Sequence, residues 1–366
     1  MSIPFVDLKK QYQNIKTDID QAIQEVVENT AFIKGKYVSE FESSFARLMD
    51  VKHCIGVANG TDALYITMKA LGIGPGDEVI TVANSWISTS ETISQTGATP
   101  VFIDIHPEFY TIDTDLIESK ISSKTKAIIP VHLFGQSVDM DIITNLCKEH
   151  SLYLIEDCAQ SHLAEHAGNK VGSFGIAGTF SFFPGKNLGA YGDAGGIITN
   201  DDEFATKARM FANHGALKKH QHEIEGINSR LDGLQASILL AKLPYLDQWS
   251  SQRLDHALYY NELLEDIDEV IVPKIKENGR HVFHLYVVRV KQRDQLQTFL
   301  KEKGISTGIH YPTPLPLLNA YKYLNYQESD IPVAAKYQHE ILSLPMFPEL
   351  TNDQILAISN AIKSFY

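Results

Sequence analysis

Cysteine is scarce in this sequence: Cys54, Cys147 and Cys158 are the only three among 366 residues. They are too few and too scattered for a disulfide framework or a zinc site, and each lies in the apolar context of a small buried hydrophobe. Positive charge is short as well. With 32 Lys and Arg against 45 Asp and Glu the chain carries a net charge of -13, which excludes non-specific nucleic-acid binding, since that needs clustered cations facing phosphates. No apolar run approaches the roughly 20 residues that span a bilayer, and Met1–Lys10 lacks the basic and apolar regions of a signal peptide. A cytoplasmic protein without a membrane partner is expected. Nucleotide-binding loops are missing too: Gly56-Val-Ala-Asn-Gly60 does not match G-x-G-x-x-G, and Gly178–Lys186 lacks the P-loop spacing and its Ser or Thr after the lysine. That argues against a nucleotide-binding or regulatory module. Internal repeats and low-complexity segments are absent.

What is there is an ordinary globular composition, 44% hydrophobic and 21% charged, with length enough for a large domain and a smaller one. Residues 1–30 carry apolar positions at helical spacing (Ile15, Ile19, Ile23, Val26), and a second helix is expected over Val38–Met49. From Cys54 short apolar runs alternate with helical stretches. The runs are 54–58, 78–83, 100–104, 126–132, 152–156, 178–182 and 196–199; the helices between them are 62–71, 88–96, 113–121 and 140–150. This alternation predicts an α/β fold with a largely parallel sheet covered on both faces. After about Leu243 it stops. A long amphipathic stretch (249–267), a strand-like run (283–290), a helix (294–304), the loop around His310 and two further helices predict a smaller α+β domain. The expected division is residues 1–30 as a helix packing with the small domain, 31–243 as the large domain and 244–366 as the small one.

The segment Thr179–Gly196 is the most unusual. An aromatic, strand-like start leads into Pro184-Gly185, then a lone Lys186, then a glycine-rich run that cannot continue regular structure. A solvated lysine needs no such setting, whereas an amine meant to attack an aldehyde needs a shaped, partly desolvated pocket that lowers its pKa. Lys186 therefore reads as a Schiff-base lysine. Polar clusters follow four of the strands, at Asn59–Asp62, Asn84–Trp86, Asp157–Gln160 and Pro184–Lys186. In an open α/β sheet the ligand crevice lies outside the carboxyl ends of the strands, so these four should converge. His214, His220 and His222 surround Lys218 and Lys219, which suits a solvated loop better than a metal site; no metal is assigned.

Four separated motifs then give a resemblance: Asn59-Gly-Thr-Asp-Ala-Leu, Glu156-Asp-Cys-Ala-Gln, Ser181-Phe-Phe-Pro-Gly-Lys and Asn228-Ser-Arg-Leu-Asp. In that order, and over essentially the whole chain, the sequence resembles the DegT family of sugar aminotransferases, which use pyridoxal 5'-phosphate on the aspartate aminotransferase fold. The resemblance implies that Lys186 holds the cofactor and shuttles the proton, while Asp157 keeps the pyridine nitrogen protonated so that the ring acts as an electron sink. A helix-capping aspartate is the alternative. Gly60, Thr61 and Asp62 open a helix whose free amides suit a phosphate, or simply begin it; Ser181 is expected on the same phosphate. Trp86 would stack on the cofactor ring or pack in the core. Gln160 would bond the phenolic oxygen or be a solvated first-turn residue. Asn228 is expected to cross a homodimer interface to the neighbour's phosphate, which implies shared active sites, and His310 and Tyr311 resemble substrate-side residues. The run Gly189-Ala-Tyr-Gly-Asp-Ala-Gly195 looks like the subgroup aminating 3-keto sugars. The implied substrates are a nucleotide-linked keto sugar, best a dTDP-3-keto-6-deoxyhexose, and L-glutamate; a UDP-3-keto uronate and a 4-keto sugar are the rivals. Relatives that dehydrate the sugar carry histidine at the lysine position, so Lys186 decides against them.

Overall fold

A computed structural model describes residues 2–366. At the N-terminus two helices, α1 (Leu8–Asn14) and α2 (Lys16–Glu28), stand where the sequence pattern predicts one. Asp7 caps α1 through the amide of Lys10, and the chain kinks at Ile15, whose side chain is buried beside Ile19, Ile238 and Trp249. The lead before α1 goes elsewhere: Ile3 exchanges backbone hydrogen bonds with Gly304 and Ser306. Helix α3 (Lys36–Leu48) follows within two residues of the expected start.

The alternating region forms as predicted. Strands β1 (His53–Val57), β2 (Glu78–Val82), β3 (Thr99–Ile103), β4 (Thr125–Ile129) and β5 (Tyr153–Asp157) come first; a short hairpin, β6 (Glu165–His166) and β7 (Asn169–Lys170), precedes β8 (Ala177–Ser181) and β9 (Gly195–Thr199). Seven of them make one sheet in the order β1-β9-β8-β5-β4-β2-β3. Every pair from β8 to β3 is parallel, and only β9 runs against its neighbours on both sides. Their interior residues are almost all apolar and buried, as a sheet covered on both faces requires. Helices α4 (Gly60–Ala70), α5 (Ser88–Thr96), α6 (Met140–Glu149), α7 (Asp202–Phe211) and α8 (Gly233–Lys242) flank it. The helix expected over 113–121 is instead two single turns of 3-10 helix, Thr114–Leu116 and Glu118–Lys120. Asp113 closes the first by accepting from the amide of Asp115, and only Ile117 between the turns is buried, so no apolar stripe exists to hold a longer helix.

Beyond α9 (Leu246–Leu264) the chain builds a second layer. Strand β10 (Val270–Ile271) joins a three-stranded sheet; β11 (Gly279–Arg280) returns to pair with β6; β12 (Tyr286–Val290) is the centre of that second sheet. Helix α10 (Arg293–Glu302), the short α11 (Pro332–Tyr337), β13 (Ile341–Leu344) and α12 (Asn352–Phe365) complete it. Strand β13 has no counterpart in the sequence reading. Its four residues are all buried and lack alternation, so nothing periodic marks them. The three cysteines are free and buried. Among the described residues no helix is long and apolar enough to cross a membrane.

Candidate active site

The four polar clusters meet at the carboxyl ends of the parallel strands. Strand β5 ends in Asp157, whose side chain is 5% exposed. Its Oδ2 accepts from the hydroxyl of Thr89 at 2.8 Å, and its Oδ1 from the amide of Ala159 at 3.1 Å. Burial raises the Asp157 pKa, while those two donors and the charge on Lys186 oppose the rise. Asp157 caps no helix; its partners hold one carboxylate geometry at the strand end. Thr89 in turn meets Ser85 at 3.1 Å, which ties the cluster after β2 to the cluster after β5.

Residues Asn59–Asp62 join from the other side. Asn59 is the N-cap of α4 and accepts from the amide of Asp62 at 2.8 Å, while Thr61 Oγ1 meets Ser88 Oγ at 2.7 Å. The amides of Gly60 and Thr61 belong to the first helical turn and have no intrahelical partner. Gly60 lies directly on Ser181: a Cβ there would stand 2.7 Å from the serine Cβ. The helix start and the end of β8 thus touch.

From Ser181 the chain folds into a closed turn. The amide of Ala190 donates to the carbonyl of Phe182 at 2.8 Å, and that of Lys186 to Phe183 at 2.9 Å. Lys186 sits within this turn. Burial lowers its pKa to about 8, opposed by the Asp157 carboxylate, and its amine makes no hydrogen bond among the described residues. A part-neutral, uncommitted amine is what an aldehyde-binding lysine requires.

Trp86 is 60% exposed, so it does not pack in the core; its ring centroid lies 5.9 Å from that of Tyr311. Gln160 is buried, not solvated. Its Oε1 accepts from the amide of Phe134 at 2.7 Å and its amide nitrogen donates to the Tyr311 hydroxyl at 3.0 Å. His310 bonds Ser343 Oγ through Nδ1 at 2.8 Å and stacks on Phe5 at 5.7 Å. Asn228 is exposed, on a segment that bridges to Asn213.

Two neighbours of Lys186 escaped the sequence reading. His162 is fully buried, with both ring nitrogens unpartnered and its edge on Phe180 and Phe182 at 5.3 and 5.6 Å. His284 pairs with Asn187 at 3.1 Å, and Asn187 donates to the carbonyl of Val282. Burial, then the nearby Lys186 charge, pushes His162 down to about 3, His310 down to about 4 and His284 well below the usual range. All three are neutral at neutral pH. His162 follows Gln160 by two residues in an apolar turn, which is a readable signal; His284 opens what reads as a plain strand. Glu156 is a further omission. Its buried carboxylate takes His132 and the amides of Gly172, Phe174 and Gly175, and so anchors the end of β5.

The sequence pattern of the DegT/DnrJ/EryC1/StrS aminotransferase family matches residues 13–363. The chain belongs to that family. It is 48% identical to a pleiotropic regulatory protein of Geobacillus stearothermophilus, over 100% of this chain and 99% of the relative. It is 43% identical to the dTDP-3-amino-3,6-dideoxy-alpha-D-galactopyranose transaminase of Aneurinibacillus thermoaerophilus, over 99% of each. Among solved structures it superposes on S. venezuelae DesV in complex with a ketimine intermediate with a TM-score of 0.97 and 38% identity, covering 100% of this chain and 98% of that one.

The chain is therefore an aminotransferase of a pyridoxal-phosphate-dependent family, and its close relatives are nucleotide-sugar aminotransferases. The residues fit the cofactor. An uncommitted amine with a lowered pKa, a buried carboxylate held from both oxygens and a glycine helix start packed on a serine are the donor set that an aldehyde, a pyridine nitrogen and a phosphate need.

Proposed function

We propose that this enzyme aminates C3 of a dTDP-linked 3-keto-6-deoxyhexose, with L-glutamate as amino donor, in the cytoplasm and in the service of surface glycan synthesis. The observation that carries the aminotransferase chemistry is the uncommitted Lys186 amine beside buried Asp157. When bound, pyridoxal phosphate supplies an aldehyde and an electron-withdrawing ring. Lys186 would hold that aldehyde, and its Nζ is the group that would carry a proton to and from the reacting carbon. Asp157 would hold the pyridine nitrogen. Gly60, Thr61, Asp62 and Ser181 would receive the phosphate, Trp86 would cover the ring, and Gln160, already oriented by Phe134, would bond the phenolic oxygen. His310 and Tyr311 line the substrate side. The protein works as a homodimer, with Asn228 reaching the partner's phosphate; its exposed position and its lack of side-chain partners among the described residues support that role.

One observation favours the neutral deoxyhexose, since relatives named for a dTDP-linked 3-amino-dideoxy sugar and for a UDP-linked 3-oxo-glucuronate are about equally similar, at 43% and 42% identity. Arg280 and Arg289, two cations that could neutralise a uronate carboxylate, are paired elsewhere: Arg280 with Asp247 at 2.7 Å, and Arg289 with Glu340 at 3.0 Å while lying over the Tyr337 ring. Assay against dTDP- and UDP-linked 3-keto and 4-keto sugars, with NMR of the product, tests the proposal. Nitrogen on C3 of the dTDP deoxyhexose is expected; nitrogen on C4, or turnover only of a UDP-linked uronate, overturns it while leaving the aminotransferase assignment standing.

A further inference from the structure

Lys242, the last residue of α8, is 1% exposed and has no carboxylate within ion-pair distance among the described residues. Only the more distant Glu349 carboxylate opposes its burial, and a buried ammonium without a paired acid is costly unless the fold uses it. Its Nζ donates to the carbonyl of Gly189 at 2.7 Å and lies 4.3 Å from the centre of the Tyr191 ring. Both contacts fall on the glycine run immediately after Lys186. About two turns earlier on the same face of α8, Gln235 grips the same run: its Oε1 accepts from the amide of Tyr191 at 2.8 Å, and its amide nitrogen reaches the carbonyl of Tyr191 at 3.5 Å. Gly192 is pressed so closely on Gln235 that a Cβ would stand 2.9 Å from the amide nitrogen.

These contacts close the turn that carries the reactive lysine. Gly189 sits against Pro184, where a Cβ would be 2.3 Å from the proline carbonyl oxygen, and Ala190 bonds back to Phe182. The carbonyl that Lys242 holds is thus at the closing point of the turn 182–190, three residues past Lys186. We propose that α8 is the positioning element for Lys186, acting through Lys242 and Gln235, which fix the turn without touching substrate. The Lys242 cation holds the turn by a hydrogen bond and a ring face, both of which have defined directions, so the amine is aimed by geometry set on a separate helix. The proposal rests on Lys186 as the reacting amine, which Lys186→Ala tests separately; with that variant inactive, failure of the tests below falls on the positioning role alone.

The experiment is Lys242→Met in the holoenzyme, which keeps the stem and removes the donor. Misplacement by about an ångström costs roughly 100-fold in rate, so kcat should fall by about 10- to 100-fold while the sugar KM moves less than about threefold. The absorbance of the bound cofactor near 400 to 430 nm, roughly the range of its protonated lysine adduct, should titrate with a midpoint displaced by more than about half a pH unit. Hydrogen exchange should quicken in residues 183–192 and stay unchanged in the central strands. Wild-type kcat and titration midpoint overturn the proposal. So does a loss of activity explained by cofactor release or global unfolding, with an unshifted midpoint in the fraction still loaded. Gln235→Leu removes the second grip from a part-exposed position and is read by the same three measurements, so an insoluble Lys242→Met still leaves a decisive test.

Discussion

At the residue scale Lys186 and Asp157 act on each other's charge without forming an ion pair among the described residues, and each has its own expected failure. Lys186→Ala should reduce transamination to background, since no other amine near the site could bind the cofactor aldehyde; single-turnover loss of the donor-induced absorbance change checks it. Asp157→Asn keeps the Thr89 contact but gives up the charge, and kcat should fall by at least about 100-fold with retained cofactor. Unchanged kinetics would remove Asp157 from the ring nitrogen. Stability should also register the buried lysines. Lys186 in the cofactor-free protein and Lys242 in any form have pKa values of about 8 when folded, below the ordinary 10.5. From about pH 8 upward the unfolded chain binds more protons than the folded one, so stability rises with pH across that window; well below pH 8 the full burial penalty is present. Buried Tyr260 and Tyr286, whose pKa values are raised, oppose this above about pH 10. Denaturant midpoints of the cofactor-free protein between pH 8 and 9.5 should climb, and Lys242→Met should flatten part of the climb. At this scale Lys186, Asp157 and Gln160 were legible because each interrupts an apolar pattern at a strand end. His284 and Lys242 were not, because a histidine in a strand-like run and a lysine ending an amphipathic helix look like surface residues until the fold buries them.

The element that matters most to cofactor binding is the start of α4, and two glycines bring it to the sheet. Gly60 rests on Ser181, and Gly195 at the head of β9 rests on Asn59, where a Cβ would stand 2.3 Å from the backbone carbon and oxygen. Neither glycine has a positive φ, so the constraint is contact and not conformation. Gly195→Ala should push the helix start away from Ser181, with a cost of about 1–3 kcal/mol in stability from overpacking and a weakened cofactor affinity, both read from thermal unfolding with and without added pyridoxal phosphate. A variant with wild-type affinity would show that the helix start can move without consequence. The strands β1 to β5, β8 and β9 were readable as short apolar runs, since burial on both faces leaves few residue types to choose from. The failures share a cause: the single helix over residues 1–30 is broken at a buried Ile15, the 113–121 helix lacks a stripe, and β13 is four buried residues long. Where packing and not periodicity decides, a sequence pattern carries no mark.

For the whole molecule the decisive expectation is sharing between protomers. Mixing Lys186→Ala with an inactive Asn228 variant should restore activity in verified heterodimers, because one of the two sites then receives both intact residues; verified exchange without recovery would place Asn228 outside the neighbour's site. This arrangement rests on the Asn228 motif, as periodicity says nothing about which chain a residue serves. The reversed strand β9 has a different consequence, in the order of synthesis. Strand β1 lies at the sheet edge with β9 as its one neighbour, so residues 53–57 have no backbone partner until 195–199 exist. At about 5–20 residues per second that interval is on the order of ten seconds, during which the segment His53-Cys-Ile-Gly-Val57 trails from the ribosome as an unpaired edge strand with its apolar side chains uncovered. Expression on slowed ribosomes should therefore lower the soluble yield through this one strand, and a chaperone that binds extended apolar segments should find it early in translation and lose it once β9 emerges.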